Sequence, residues 1–194
     1  MLNIKRMIMT VIYAIKHKKK VKNIIAKSNT YSKISNISEI DCRKLKKEGV
    51  RVLVLDFDGV LAPHGKIHLE GKIRKWLTVA LKTFPNKTYL LSNNPKSKRF
   101  MWLQKNFPQL HLLAGVRKKP YPDGLNKIIE HAKVQPKDVI LIDDRLLTGV
   151  LATINAKTRV MYISNPEMHH FSRFFLQECV FSTLRFLEKI YFKL

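Results

Sequence analysis

Val52-Leu53-Val54-Leu55-Asp56-Phe57-Asp58-Gly59-Val60-Leu61 is the stretch from which the rest of the chain is read. Four uninterrupted apolar residues give a strand buried on both faces, as in a parallel sheet. The run stops at two aspartates spaced i, i+2 and then a glycine. In open α/β sheets, chemistry collects at the carboxyl ends of strands. Two carboxylates there suit metal binding, nucleophilic attack and proton transfer. Taken alone, Asp56-Phe57-Asp58-Gly59 is equally a strand running into an ordinary turn, where Asp and Gly are common.

Outward from this strand, helical and apolar segments alternate. A short helix over 40–49 ends at Gly49. Residues 71–84 carry one apolar stripe of Ile73, Trp76, Leu77, Ala80, Leu81 and Phe84, the spacing of a helix packed on a core. Strands are predicted over 51–55, 88–91, 110–114, 139–142 and 159–163, with helices over 98–107, 123–132 and 146–154 between them. Asp123 is in place to cap its helix. Strands alternating with helices imply βαβ units and a parallel sheet with right-handed crossovers.

The chain has 194 residues and is 45% hydrophobic, enough for a domain with a real core. A formal net charge of +23 favours anionic partners: acidic lipid, nucleic acid or phosphorylated substrate. Cys42 and Cys179 are far apart, which argues against a disulfide framework or a zinc site. No run of 18 apolar residues occurs, so no transmembrane helix is predicted.

The two ends differ from the middle. Residues 1–38 hold no acid, and Leu2, Ile4, Met7, Ile8, Val11, Ile12 and Ile15 repeat at helical spacing ahead of Lys16, Lys18, Lys19, Lys20 and Lys22. Three readings fit: a membrane-surface anchor, a helix packed on the domain, or a mitochondrial transit segment. Residues 28–38, rich in Ser and Asn, read as a linker. At the other end Phe171, Phe174, Phe175, Leu176, Val180, Phe181, Leu184, Phe186, Leu187, Ile190, Tyr191, Phe192 and Leu194 exceed what covering one small sheet needs, with Arg173, Arg185, Lys189 and Lys193 among them. This segment reads as a second interfacial contact, against the plainer reading of a helix covering the sheet. The division is therefore 1–38 basic amphipathic segment and linker, 39–165 core domain, and 166–194 amphipathic helical segment.

Polar groups stand at four strand ends: Asp56 and Asp58, Ser92 and Asn93, Lys119, and Asp143 with Asp144. A phosphoryl-transfer site uses such a set. One carboxylate attacks phosphorus, a second protonates the leaving oxygen, others hold an oxygen-seeking ion, and a hydroxyl, backbone N–H groups and a lysine balance the phosphoryl charge. In this order the residues resemble the four motifs of the haloacid dehalogenase (HAD) superfamily, over about residues 50–165. Leu91-Ser92-Asn93-Asn94, Lys119-Pro120 and Asp144-Arg145-Leu146-Leu147-Thr148 are similar to the class IIIA phosphatases that act on phosphatidylglycerophosphate.

The resemblance implies a Rossmann-like three-layer α/β sandwich around the parallel sheet, to which the amphipathic helical extensions read at both ends are added. It implies a phosphatase in which Asp56 becomes an aspartyl phosphate and Asp58 serves as general acid, then base. Ser92 and the Asn93 backbone would hold the phosphoryl group, and Lys119 would pair with its oxygens and with Asp56. Mg²⁺ would take Asp56, the Asp58 carbonyl and an acid from Asp143-Asp144, with Asp144 as direct ligand and Asp143 in support. Two departures stand out. Where the subfamily has Gly-Asp and a second Asp five residues on, this chain has Asp143-Asp144 and Gly149. Where it has Asp-Asn-Thr after the nucleophile strand, this chain has Asp58-Gly59-Val60.

The intervals from Asp58 to Ser92 and from Ser92 to Lys119 leave no space for a sizeable cap, so the site is predicted to be open, with little or no cap domain. His64 reads as an exposed loop histidine, with a role in shaping a substrate loop as the alternative. The leading function is hydrolysis of phosphatidylglycerophosphate at a membrane surface, with an anionic phospholipid as partner and substrate. The location is a cytoplasmic membrane face, or the mitochondrial matrix if residues 1–30 act as a transit segment. The alternative is the same chemistry on soluble nucleotides, sugar phosphates or nucleic-acid ends, and nucleic acid is the lesser partner because basic and aromatic residues do not interleave outside the termini. A catalytically idle binding module is the third reading, disfavoured by the intact acidic and basic motifs.

Overall fold

The computed structural model describes residues 4–26, 33–94, 97–167 and 175–193. Leu2, Phe171, Arg173, Phe174 and Leu194, named above, lie outside the described residues, as does the 27–32 stretch. The elements in chain order are α1 Ile4–Ala26, β1 Lys33–Ile34, α2 Cys42–Lys47, β2 Val52–Leu55, α3 Gly71–Thr83, β3 Thr88–Leu91, α4 Ser97–Asn106, β4 His111–Leu113, α5 Asp123–Ala132, β5 Val139–Asp143, α6 Leu151–Ala156, β6 Arg159–Ile163 and α7 Phe175–Phe192. All pairings are parallel, in the order β1-β6-β5-β2-β3-β4. The α/β parallel sandwich read from the sequence is the observed fold.

The central strands are apolar throughout because both faces are covered. In β2 and β5, Leu53, Leu55, Ile140 and Ile142 enter the cluster built with α2, α3 and α4. Their neighbours Val52, Val54, Val139 and Leu141 join Leu125, Ile128 and Ala132 of α5 and Ala152 and Ala156 of α6. Each single strand thus serves two cores, following the two-residue period of a strand.

Several local expectations are corrected. The predicted linker holds β1, which extends the sheet edge beside β6, and a 3-10 turn at Ile37–Glu39 capped by Asn36. Asp123 is the first residue of α5 rather than its cap, and its carboxylate accepts a bond from Arg117 Nε at 2.6 Å. The helix expected over 146–154 opens as a π-helical turn, Leu146–Val150, before α6 begins. Such turns interrupt regular helices mostly at functional sites.

The terminal helices both pack on the body. Ala14, Val21 and Ile25 of α1 and Phe192 of α7 share a buried cluster with Leu146, Val150, Leu151, Ile154 and Tyr162. Their outward faces are apolar. On α1, Ile4, Met7, Ile8, Val11, Ile12 and Ile15 are exposed. On α7, Phe175, Leu176, Val180, Leu184, Phe186, Leu187 and Ile190 are exposed while Glu178, Arg185 and Glu188 are buried. The polarity of α7 is therefore inverted along most of its length: it covers the body through Phe192 and its charged residues. No helix among the described residues is long and apolar enough to cross a membrane.

Candidate active site

The ladder between β2 and β5 continues one step past the strand, with Asp56 N donating to the Ile142 carbonyl at 3.0 Å. Asp56 thereby stands beside Asp143 and Asp144. The chain then turns sharply: Gly59 adopts φ +84° and donates to the Ala62 carbonyl at 2.8 Å. A Cβ on Gly59 would lie 2.4 Å from Asp144 Oδ2, so glycine is required there for space as well as for conformation.

Asp56, Asp143 and Asp144 are buried, and each offers a carboxylate oxygen within 4.8 Å of the others. Lys119, also buried, reaches Asp143 Oδ2 at 2.5 Å and Asp56 Oδ1 at 3.1 Å. The backbone of Lys119 is held by Asn93, whose Oδ1 accepts from Lys119 N at 2.7 Å and whose Nδ2 donates to the Lys119 carbonyl at 3.2 Å. The Asn93 side chain is thus committed to placing the lysine, a task the sequence did not suggest. Ser92 is buried beside the cavity, its Oγ accepting from Asn94 N at 3.1 Å.

Asp143 and Asp144, adjacent in sequence, have different partners. Both oxygens of Asp143 are engaged, Oδ2 with Lys119 and Oδ1 with Arg145 N at 2.9 Å. Asp144 Oδ2 is held by Arg185 of α7 at 2.7 Å, whereas its Oδ1 is buried with no hydrogen-bond partner. Asp56 Oδ1 is also buried, with the Lys119 ammonium 3.1 Å away. Burial first, then the neighbouring carboxylates against the pull of Lys119, pushes the Asp56 carboxyl up to about 7. Burial and the Asp143 charge, opposed by Arg185, push Asp144 up to about 8. Buried carboxylates that repel one another, one of them with an unpaired oxygen, call for a cation. An all-oxygen donor set suits Mg²⁺, so the residues present fit that ion.

Asp58 stands apart from this triad. Its two oxygens accept from Arg99 at 2.9 and 3.1 Å in a fork. Arg99 comes from α4, is fully buried, lies over the Phe57 ring at 3.8 Å and also donates to the Lys66 carbonyl. A planar guanidinium fixes a carboxylate in one orientation, which lysine does not.

His64 is a correction: it is buried, not exposed. Its N–H donates to Glu178 Oε1 at 2.8 Å, its ring Nδ1 lies 3.2 Å from Glu178 Oε2, and the ring stacks on Phe181 at 3.8 Å. Glu188 accepts from Leu146 N at 2.8 Å and pairs with Arg145. The inward edge of α7 therefore forms a charged seam, Glu178, Arg185 and Glu188, along the site. Sequence reading missed Arg99 and this seam. The seam's spacing of seven and three residues was legible as one helix face, but it was masked by the apolar residues around it.

A cavity of about 300 Å³ is lined by Asp56, Asp58, Ser92, Asn93 and Asp144 together with Arg6 of α1 and Phe181 and Leu184 of α7. No inserted cap stands over it between Asp58 and Ser92, since α3 follows directly on the loop after Gly59.

The chain matches the family described as mitochondrial PGP phosphatase over residues 11–166. Among curated proteins nothing matches it. Three solved structures are similar to it. An uncharacterised protein from Corynebacterium glutamicum is 22% identical, with 72% of this chain and 97% of that one covered and a TM-score of 0.45. A haloacid dehalogenase-like protein from Agrobacterium tumefaciens is 16% identical, with 70% and 99% covered and a TM-score of 0.42. A HAD family enzyme from Bacteroides thetaiotaomicron, in complex with magnesium and inorganic phosphate, is 19% identical, with 59% and 94% covered and a TM-score of 0.38.

Proposed function

The chain belongs to the mitochondrial PGP phosphatase family and is a HAD-type phosphatase, and from that premise we propose that it removes the terminal phosphate of phosphatidylglycerophosphate at a membrane surface. Asp56 is the nucleophile. One of its oxygens bonds to phosphorus as the glycerol oxygen leaves, and Asp58 delivers the proton to that oxygen. Asp58, now ionised, takes a proton from the water that attacks the aspartyl phosphate, which releases phosphate and restores Asp56.

Arg99 keeps the Asp58 carboxyl turned one way through both steps. Ser92 and the Asn93 backbone bind the phosphoryl oxygens, and Lys119, placed by Asn93, neutralises them. Asp56, Asp144 through Oδ1, and the Asp58 carbonyl would hold Mg²⁺, with Asp143 supporting through Lys119. Bound there, the ion would supply charge stabilisation to the phosphoryl oxygens.

The observation that carries the surface reading is the inverted polarity of α7. Ordinary helices bury their apolar stripe, and exposed apolar patches of this size mark interaction sites. Here charged residues face the site and Leu176, Val180, Phe186, Leu187 and Ile190 face outward. The exposed apolar stripe of α1 is bordered by exposed Lys5, Lys16, Lys19 and Lys20, which suits an anionic lipid surface. The family description supports a mitochondrial setting. Burial of Val21 and Ile25 in the body supports α1 staying with the enzyme rather than being removed as a transit segment.

Phosphate release from phosphatidylglycerophosphate in mixed micelles with Mg²⁺, beside a panel of soluble esters, tests this reading. We expect preference for the lipid and a loss of about a thousandfold or more in Asp56→Asn. Release from soluble esters alone would move the function to soluble phosphomonoesters.

A further inference from the structure

We propose that His64 is a substrate-positioning residue: its ring nitrogen Nε2 accepts a hydrogen bond from a hydroxyl of the leaving alcohol, on the carbon next to the phosphorylated one. The inference rests on the phosphatase reading above and extends it to how the leaving group is chosen.

The backbone puts His64 beside the group that must meet the leaving alcohol. Asp58 delivers a proton to the leaving oxygen, so that oxygen lies against the Asp58 carboxyl. The loop after Asp58 folds back at once: Gly59 N donates to the Ala62 carbonyl at 2.8 Å, and Asp58 and Ala62 form a parallel β-bridge. His64 stands two residues beyond that bridge. Asp58, His64 and Phe181 all line the cavity.

Two elements fix the ring. Glu178 Oε1 accepts from the His64 backbone N–H at 2.8 Å, while its Oε2 lies 3.2 Å from Nδ1. The Phe181 ring covers one face, 3.8 Å away and 12° from parallel. Glu178 is itself backed by Arg185 at 3.9 Å. Burial works against its ionisation, but the hydrogen bonds and charge of His64, with the charge of Arg185, outweigh it and hold this carboxyl below its usual range. An ionised carboxylate only accepts, so the hydrogen of a neutral His64 ring sits on Nδ1. Nε2 then carries the lone pair, and among the described residues it makes no hydrogen bond.

Docking α7 uses the backbone N–H and Nδ1 and leaves Nε2 without a task. His64 is buried, and an acceptor left unpaired in such a place is costly, a cost that a substrate hydroxyl removes. A lone pair repels phosphate oxygens and accepts from O–H, so the partner is an alcohol rather than a second phosphate. Held there, the hydroxyl orients the leaving group so that its ester oxygen meets Asp58. The phosphorylated glycerol of phosphatidylglycerophosphate carries such a hydroxyl on its middle carbon.

The test compares glycerol 3-phosphate with propane-1,3-diol monophosphate, which lacks only the middle hydroxyl. Both are water-soluble, so membrane binding does not enter. Wild type should favour glycerol 3-phosphate. His64→Asn is the variant to make, because its amide can replace Nδ1 as the donor to Glu178 but is too short to reach the place of Nε2. In it the ratio of the two kcat/KM values should fall about tenfold or more. His64→Gln, whose amide reaches that place, should recover part of the preference. No preference in wild type, or the same ratio in wild type and His64→Asn, overturns the contact and leaves the phosphatase standing. Equal loss on both esters, with a lowered melting temperature, overturns it in favour of a structural role for His64. A His64-dependent preference in an enzyme that leaves the lipid intact would uphold the contact and overturn the lipid reading. Phosphate release from neither ester nor from the lipid overturns the phosphatase reading and the contact with it.

Discussion

Gly149 and Asp143 compete for one volume: a Cβ on Gly149 would lie 2.0 Å from Asp143 Cγ. The chain departs from its subfamily at both positions, carrying Asp where glycine is usual and glycine where Asp is usual. The two positions are sterically linked: the carboxylate at the strand end fits because the helical turn carries no side chain opposite it. Gly149→Ala is expected to cost about 1–3 kcal/mol by overpacking. Asp143→Gly removes one partner of Lys119 and lowers phosphate release. The double variant Asp143→Gly/Gly149→Asp should release more phosphate than either parent. An additive loss in the double variant would show that the positions are independent.

Arg185 ties the C-terminal helix to Asp144 in the acidic triad. Arg185→Met leaves Asp144 buried beside two other carboxylates, at an expected cost of about 3–5 kcal/mol. Mg²⁺ would supply the missing positive charge, so the loss measured by urea denaturation should shrink when Mg²⁺ is saturating. Equal losses with and without the ion would place the cation elsewhere.

Stability of the metal-free protein should depend on pH in a definite direction. The carboxyls of Asp56 and Asp144 are raised above their ordinary range, to about 7 and about 8. A carboxyl raised in the fold favours folding while protonated, so that stability is fully present below the unfolded value and is lost as pH rises through the folded one. The melting temperature without metal should therefore fall between about pH 4 and 8 and level off above. Saturating Mg²⁺ binds the ionised forms and should flatten the fall. A fall of the same size with Mg²⁺ would count against metal binding by this cluster.

The outward apolar faces make a separable prediction. Leu176→Lys/Leu187→Lys on α7, or Ile8→Glu/Ile15→Glu on α1, change exposed side chains and should shift the melting temperature little. Binding to vesicles rich in phosphatidylglycerol, followed by sedimentation, should drop at least fivefold for each pair. Hydrolysis of a soluble ester should change far less than hydrolysis of the lipid. Unchanged vesicle binding would remove the surface reading of both helices.

The sequence by itself determined the strand order of chemistry along the chain. An uninterrupted apolar run followed by Asp-x-Asp can be little else once Ser92, Lys119 and Asp143-Asp144 follow at later strand ends, because a parallel sheet gathers the carboxyl ends of its strands along one edge. Local periodicity also located most of the helices and strands within a residue or two. What only the tertiary structure decided was which groups meet from distant elements. Arg99 looked like one surface cation among 37 basic residues until folding put it against Asp58. His64 looked like a loop residue until Glu178 and Phe181 closed over it. The apolar stripe of α7 was visible as a stripe, but the direction it faces was not, since the three charges that dock the helix find their hydrogen-bond partners across the site. Periodicity reports which residues share a face; the partners available in three dimensions determine whether that face turns inward or out.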